Sequence, residues 1–292
     1  MINIKRHYYF SISGVKLDIE VDKEVLMTKA FLPFKKEDVD SDFSVHIETV
    51  DELPTMSEYA LYNGEFYKVH RNEKGEYIKL FFESSGIKKP YAISSYNVDT
   101  NSLSVKYLKK GERNFSNFQN TFLHLSFEEI LMHHKRLCVH ASCVDSSLGG
   151  ILFSGPSGIG KSTQAENWCK YRGAKQINGD RPIITKDEMG WKAWGSPYAG
   201  SSRCYKNSSC LIRAIVVLKQ TENCKLRRMS EIDAFKAIWS GVTAHSWDRK
   251  YMEMACDMTM ELTQNIPVFE FCCTPDECAV DFLESELRKE VL

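Results

Sequence analysis

The chain has 292 residues, a formal net charge of −1 and a hydrophobic content of 43 %, which are ordinary values for a globular protein of one or two domains. This charge balance gives no electrostatic basis for nucleic-acid binding, and no apolar run approaches the ~20 residues that a membrane-spanning helix needs. The start of the chain lacks the apolar core of a signal peptide. The ten cysteines include no Cys-x-x-Cys pair, so we expect buried thiols in a cytoplasmic protein, without a disulfide framework or a structural metal site.

Residues 1–112 contain short segments in which apolar and polar residues alternate, the pattern of strands with one solvated face. Turn signals such as Asn63-Gly64 and Lys74-Gly75 separate these segments. The predicted strands are His7–Ile12, Val15–Val21, Phe43–Ile47, Tyr77–Phe82 and Leu103–Leu108. We expect a small, mostly antiparallel β domain, in which no motif indicates a chemistry.

The pattern changes after residue 112, and we assign residues 113–292 to a second domain that mixes helices and strands. Apolar residues recur near helical spacing, which predicts a helix over about 116–135. A strand is predicted over Leu137–Val144, and a hairpin at Asp145–Gly149 joins it to the next apolar segment.

The octapeptide Gly155–Ser162 reads Gly-Pro-Ser-Gly-Ile-Gly-Lys-Ser and fits the phosphate-loop pattern G-x-x-x-x-G-K-[ST]. It follows the apolar segment Gly149–Ser154 and precedes Thr163–Lys170, which lacks Gly and Pro and predicts a helix. Such a loop binds anions, because backbone N–H groups converge on phosphate oxygens and the helix N-terminus adds partial positive charge. We expect Lys161 to reach the β- and γ-phosphates and the Ser162 hydroxyl to ligate Mg²⁺. The alternative is a plain glycine turn between a strand and a helix.

The residues expected to bind the nucleotide are Gly155, Pro156, Ser157, Gly158, Ile159, Gly160, Lys161, Ser162 and Thr163. Beyond them, the pattern predicts strands over Lys175–Thr185 with a polar kink, Trp191–Trp194, Leu211–Leu218 and Val268–Phe271. Helices are predicted to begin at Ser230, to cover about 249–262, and to follow a cap at Thr274.

A phosphoryl-transfer site also needs a carboxylate for the metal and a group that orients or deprotonates the acceptor. The apolar strand Leu211–Leu218 ends in Lys219-Gln220, so it lacks the acid that ordinary phosphate-loop NTPases carry there. The nearest suitable acid is Asp180, for which a locally hydrogen-bonded turn residue is the alternative. His140 is either a satisfied core histidine or a group beside the nucleotide, since its hairpin leads directly into the loop.

Several segments resemble, in order and spacing, the C-terminal kinase domain of HPr kinase/phosphorylase, a family whose core is similar to ATP-dependent phosphoenolpyruvate carboxykinase. These segments are His140–Ser142, Ser154–Thr163, Arg172-Gly173 and Gly179–Arg181. Later segments look like the branch that includes peptide-serine kinases: Gly195–Gly200, Ile215–Leu218, Pro267-Val268, Pro275-Asp276 and Ala279-Val280. The resemblance covers about residues 120–290.

The resemblance implies an α/β phosphate-loop core, ATP and Mg²⁺ as cofactors, and transfer of phosphate to a hydroxyl. Carried onto this chain, Lys161 binds phosphate, Ser162 and Asp180 hold the metal, and His140 and Arg181 belong to the catalytic centre. HPr kinases form hexamers, so the resemblance leaves formation of a homo-oligomer open.

Two features depart from the family. Two consecutive acids usually precede the arginine, and Gly179 stands in place of the first, so the general base is left to His140 or to the substrate. The acidic, glycine-rich signature of true HPr kinases is absent, and the loop Gly195–Ser202 takes its place, so HPr is not the expected substrate.

The leading hypothesis is an ATP-dependent kinase for a hydroxyl, either a serine of a peptide or protein or a small molecule, with no nucleic-acid or membrane partner. A second hypothesis is a nucleotide-responsive binding module without transfer activity, which Gly179 supports. A third is a carboxykinase-like lyase, for which Arg181, Arg203 and Arg213 are the only nearby basic candidates.

Overall fold

Two nine-stranded sheets organise the protein in a computed structural model that describes residues 5–83, 89–97 and 99–291. The chain divides into two compact units, Met1–Ile130 and Leu131–Leu292. Both units combine helices with a large sheet, so the fold belongs to the mixed α and β class. Among the described residues, no helix has the length and apolar character needed to cross a bilayer.

The sheet of the first unit runs in the order β3-β1-β2-β4-β9-β8-β7-β6-β5. Its strands are β1 (Arg6–Ile12), β2 (Val15–Val21), β3 (Lys35–Lys36), β4 (Phe43–Val50), β5 (Tyr62–Asn63), β6 (Tyr67–Arg71), β7 (Tyr77–Phe82), β8 (Pro90–Asn97) and β9 (Ser102–Leu108). The segments predicted as strands are present as β1, β2, β4, β7 and β9. Strands β3, β5, β6 and β8 lie where no strand was predicted.

This sheet is mixed, because β4 pairs in parallel with β2 on one side and with β9 on the other. The remaining described pairings are antiparallel. After β2 the chain makes a 3-10 turn, Leu32–Phe34, and a short strand that pairs back on β1, so β4 enters the sheet in the same direction as β2. A crossover of this kind gives parallel neighbours, whereas a hairpin gives antiparallel ones.

The first unit extends beyond the boundary predicted after residue 112. A 3-10 helix (Lys109–Phe115) is followed by α1 (Phe118–Phe122), whose Phe118 ring packs edge-on against Phe10 with centroids 4.9 Å apart. In the same aromatic core, the ring centroids of Phe122 and Phe31 lie 4.4 Å apart. The segment after residue 112 therefore completes the core of the first unit.

The helix predicted over 116–135 is broken in two. Helix α1 ends at Phe122, and α2 (Phe127–His133) begins after Ser126, which has a φ of +49°. A left-handed residue cannot continue a right-handed helix. The periodicity of apolar residues predicted helical structure correctly over α1 and α2, but it did not indicate the break between them.

The second unit contains four helices and nine strands among its described residues. The strands are β10 (Leu137–Cys138), β11 (Ala141–Ser146), β12 (Gly149–Ser154), β13 (Lys175–Asn178), β14 (Ile183–Asp187), β15 (Gly190–Trp194), β16 (Ser209–Gln220), β17 (Lys225–Arg228) and β18 (Val268–Cys273). The helices are α3 (Lys161–Arg172), α4 (Glu231–Trp239), α5 (Arg249–Asn265) and α6 (Glu277–Val291).

Strand β16 is central to this sheet and pairs in parallel with β12 on one side and with β18 on the other. Alternate residues of β12 face opposite layers: Leu152 lies in one buried cluster with α4 and α5, whereas Phe153 lies in another with α3 and α6. Helices therefore cover both faces, as expected where parallel strands are buried on both sides. Parallel β12 and β16 end at the same edge of the sheet, and the loop Gly155–Gly160 leaves from that edge.

Two details differ from the sequence prediction. The strand predicted over Leu137–Val144 is interrupted at His140, whose backbone N–H donates to the carbonyl of Gly241 at 2.7 Å instead of continuing the ladder. The cap of α6 is Asp276 rather than Thr274, because the Asp276 carboxylate accepts from the N–H of Ala279 at 3.2 Å. Ser230 caps α4 as predicted, accepting from the N–H of Asp233.

We expect Phe118→Ala to destabilise the first unit by about 3–5 kcal/mol, because the ring is fully buried among other aromatic rings. Hydrogen exchange of the full chain, read by mass spectrometry, should show faster exchange of the β1 amides. The matched change Leu123→Ala, at a side chain that is 66 % exposed, should alter stability by less than about 0.5 kcal/mol. Unchanged exchange in β1 after Phe118→Ala would support a boundary near residue 112.

Candidate active site

The loop between β12 and α3 owes its shape to three glycines. Gly155, Gly158 and Gly160 have φ angles of +138°, +78° and +105°, a region that side chains with a Cβ rarely adopt. A Cβ added at Gly158 or Gly160 would meet nothing within 4 Å, so the space in front of these residues is open. The glycines are therefore required by backbone conformation, and they leave room beside the loop.

The N-terminus of α3 faces this space without a protein cap. The N-cap residue is Gly160, which has no side chain to accept a hydrogen bond, and the first turn of this twelve-residue helix contains no acidic residue. The first N–H groups of a helix have no intrahelical acceptor, and they carry the positive end of the helix dipole. This end of α3 is thus suited to an external anion.

Lys161 is folded back into the loop. The residue is only 6 % exposed, and its Nζ donates to the carbonyls of Gly155 at 2.9 Å and Pro156 at 3.0 Å. Burial lowers the pKa of Lys161, and the nearby Asp180 carboxylate partly offsets this shift. The two carbonyls hold the ammonium group at the mouth of the loop, where a phosphate oxygen could replace them as its partner.

A buried asparagine shapes the turn that carries Asp180. The Asn178 Oδ1 accepts from the N–H groups of Asp180 at 2.9 Å and Arg181 at 2.7 Å, while its Nδ2 donates to Ser196 Oγ at 3.2 Å. Asn178 and Ser196 are both completely buried. Ser142 Oγ donates to the carbonyl of Gly179 at 2.8 Å and is also completely buried. Three buried polar side chains therefore fix the turn, and water does not compete for their hydrogen bonds.

His140 and Asp180 come together through backbone hydrogen bonds. The N–H of Ala141 donates to the carbonyl of Asp180 at 2.9 Å, and the N–H of His140 donates to that of Gly241. The imidazole Nε2 then lies 3.3 Å from Asp180 Oδ1. The strand interruption at His140 is what frees this residue to face the turn.

The charges around His140 favour its neutral form. Burial lowers its pKa below the usual 6.5, and the positive charges of Lys161 and Arg181 lower it further, against an opposing effect of Asp180. A neutral imidazole whose hydrogen lies on Nε2, the nitrogen beside Asp180, keeps its lone pair on Nδ1. Arg181 Nε lies 3.9 Å from the other Asp180 oxygen, and its guanidinium donates to Thr243 Oγ1 at 2.9 Å.

One cavity of about 270 Å³ brings most of the predicted residues together. The loop and the start of α3 contribute Ser157, Gly158, Gly160, Lys161, Ser162 and Thr163. The opposite wall consists of His140, Gly179, Asp180 and Ser201. Among the other predicted residues, Gly155 and Pro156 support Lys161 through their carbonyls, Ile159 packs against the core, and Arg181 does not line the cavity.

The oxygen atoms that could hold a divalent cation are those of Ser162 and Asp180. Both residues line the same cavity, and the one hydrogen bond of Ser162 Oγ to a described residue is long, 3.4 Å to the carbonyl of Gly179. Hydroxyl and carboxylate oxygens are ligands that Mg²⁺ prefers, with water and phosphate oxygens completing its shell. The donor set and the open space beside Gly158 therefore fit a Mg²⁺–nucleotide.

A side chain at Gly179 would clash with the loop that follows β15. A Cβ at this position would lie far inside van der Waals contact with Oγ and Cβ of Ser202, in the short 3-10 turn Gly200–Ser202. The same turn approaches Asp180 so closely that a Cβ at Gly200 would lie 2.9 Å from Asp180 Cβ. The loop thus occupies the space that a second carboxylate would need.

The sequence placed the loop Gly195–Ser202 near the site but gave no role to Ser196, Ser201 or Ser202, and it gave none to Asn178. Small polar residues are common in turns, and nothing in their spacing distinguishes these four. The near-complete burial of Asn178 and Ser196 is visible only in the folded chain.

No protein-family model and no curated protein matches the chain. One solved structure to which it is similar is the HPr(Ser) kinase/phosphatase from Coxiella burnetii. The identity is 12 %, the TM-score is 0.34, and the alignment covers 52 % of this chain and 97 % of that one. This is a weak similarity to a kinase/phosphatase and does not assign a family, so the function proposed below rests on the site itself.

We expect Gly179→Ala to cost about 1–3 kcal/mol of stability through its clash with Ser202. Ser202→Gly removes the obstructing atoms but loses the hydrogen bond from Ser202 Oγ to the carbonyl of Ala199. The double variant should therefore be more stable than the sum of the two single changes predicts. Urea unfolding followed by tryptophan fluorescence reports on the second unit, which holds all five tryptophans. Additive costs would contradict the proposed steric exclusion.

Proposed function

We propose that the protein is an ATP- and Mg²⁺-dependent kinase that transfers the γ-phosphate to a hydroxyl, either a serine of a peptide or protein or a small molecule. The observation that carries this proposal is the single cavity in which an uncapped helix N-terminus and Lys161 face His140 and Asp180. An anion cradle alone supports phosphate binding. A histidine–carboxylate pair across the same cavity adds a group that can accept the proton of a hydroxyl.

On the phosphate side, the N–H groups of the glycine loop and of the first turn of α3 hold the phosphate oxygens. Lys161 exchanges its contacts with the carbonyls of Gly155 and Pro156 for contacts with the phosphates. Ser162 and Asp180 hold the metal. Bound Mg²⁺–ATP supplies the phosphoryl group and the cation that neutralises its charge.

On the acceptor side, the substrate hydroxyl approaches between the turn at Ser201 and the imidazole of His140. The neutral imidazole takes the hydroxyl proton at Nδ1, and Asp180 stabilises the resulting imidazolium through Nε2–H. Because phosphoryl transfer proceeds through a loose transition state, the demand on this base is modest. One carboxylate can then serve both the metal and the histidine through its two oxygens.

A second candidate function is a nucleotide-responsive binding module that does not transfer phosphate. The steric exclusion of a side chain at Gly179 favours it, because the site keeps the phosphate cradle but has no room for a second carboxylate. The two functions differ in turnover and not in nucleotide affinity.

The test is incubation of the full chain with radiolabelled ATP, Mg²⁺ and short serine-containing peptides encoded beside its gene. We expect one of them to gain phosphate, and Lys161→Met and Asp180→Asn to lower the rate by at least about a hundredfold. The matched control is Lys175→Met, an exposed lysine on β13 outside the cavity, which should keep the parent rate. Binding of ATP with no labelled product under any condition would favour the binding module.

The rate should fall as the pH is lowered through the pKa of His140, because only the neutral imidazole accepts a proton. Since burial and the neighbouring cations lower that pKa, the midpoint of the acid limb should lie below 6.5 and the rate should be level at neutral pH. His140→Gln should remove the acid limb and lower the neutral-pH rate by about a hundredfold. An unchanged acid limb in this variant would assign the base to another group.

A further inference from the structure

The first unit contains a cavity of about 380 Å³ that the phosphate chemistry does not use. Aromatic rings form much of its wall: Phe66, Tyr67, Phe81, Phe82 and Tyr91. Cavities of a few hundred Å³ with mostly apolar walls and a few polar groups are typical of small-molecule sites. At the surface, Phe66 is 57 % exposed and Leu123 is 66 % exposed, so apolar side chains also flank its opening.

A buried histidine fixes the polar floor of this cavity. The Nδ1 of His124 lies 3.0 Å from the carbonyl of Asn120, so Nδ1 carries the hydrogen, and Nε2 accepts from the hydroxyl of Tyr91 at 2.7 Å. Burial lowers the pKa of His124 to about 4 and raises that of Tyr91 to about 12. Both groups are neutral at physiological pH, and the Tyr91 oxygen keeps a free lone pair.

Two charged residues, Arg113 and Glu83, also line the cavity. Neither forms an ion pair with another residue in the described part of the chain. Asn114 and Asn120 also line it, and their side-chain amides have no hydrogen-bond partner among the described residues. The cavity thus combines one cation, one anion and two amides with an aromatic wall.

We propose that this cavity binds a free α-amino acid with a large apolar side chain. The α-carboxylate pairs with the Arg113 guanidinium, the α-ammonium pairs with the Glu83 carboxylate, and the side chain lies against the aromatic rings. A planar guanidinium binds a carboxylate in a forked geometry, which fixes one end of the ligand. A zwitterion satisfies both opposite charges, whereas an internal peptide segment or a fatty acid leaves at least one of them unpaired.

The test is isothermal titration of the full chain with L-phenylalanine, L-leucine and L-tryptophan, with glycine as the ligand that lacks an apolar side chain. We expect at least one of the three apolar amino acids to bind and glycine not to bind. N-acetyl-L-phenylalanine and L-phenylalaninamide each remove one charge, and each should bind about tenfold or more weakly than L-phenylalanine.

Two variants assign the charges to the residues. Arg113→Gln should weaken L-phenylalanine about tenfold or more and remove the preference for it over its amide. Glu83→Gln should instead remove the preference over the N-acetyl derivative. The matched control is Lys110→Gln, an exposed cation on the same 3-10 helix that does not line the cavity, and it should keep the parent affinity.

Leu123→Trp, which narrows the opening, should abolish binding, whereas Leu26→Trp at a side chain of nearly the same exposure should not. Thermal unfolding of each variant without ligand shows that it is folded. Absence of heat for all three apolar amino acids at millimolar concentration would overturn the proposal. Equal binding of the zwitterion and its one-charge analogues would also overturn it.

Discussion

The buried side chain of Asn178 is the constraint on which the candidate active site depends. It accepts from two consecutive backbone N–H groups and donates to Ser196, and both Asn178 and Ser196 are completely buried. Losing the Asn178 amide would remove these hydrogen bonds, at a cost of about 1–3 kcal/mol for each partner left buried and unsatisfied. The direction in which Asp180 projects is therefore set by the interior of the unit and not by the metal or nucleotide that the site would hold.

This constraint explains the position of the loop around Ser202. Ser196 Oγ donates to the carbonyl of Arg181 and accepts from the N–H of Tyr198, so the polar network that fixes the turn also fixes the start of the loop. The loop then reaches back over Gly179 and Asp180. Packing of this loop consequently favours glycine at position 179. Because glycine has no carboxylate, Asp180 is the one acidic residue of the turn.

The sequence allowed the local features to be predicted but not the contacts between distant segments. The octapeptide could be interpreted because the phosphate-loop pattern requires glycine where φ is positive, and Gly155, Gly158 and Gly160 adopt such angles. Strand β8 was missed because it starts with Pro90 and is buried on both faces over Tyr91–Ser94, so its residues do not alternate. The parallel pairing of β4 depends on a crossover, which leaves no periodic signal. The break at Ser126 was missed for a similar reason, since serine is not a residue that marks a left-handed conformation.

The pairing of His140 with Asp180 was only a hypothesis from the sequence, because it depends on backbone bonds between segments about forty residues apart along the chain, such as that from Ala141 to Asp180. Once these residues are together, the charge balance has a consequence of its own. Lys161, Arg181 and the end of α3 are positive, Asp180 is negative, and His140 is neutral. The excess of positive charge therefore favours binding of a polyanion, whereas the site offers only a modest base for deprotonating a hydroxyl. A reaction with a loose transition state tolerates that imbalance, because positioning and neutralisation of phosphate charge supply most of the rate and the base contributes least.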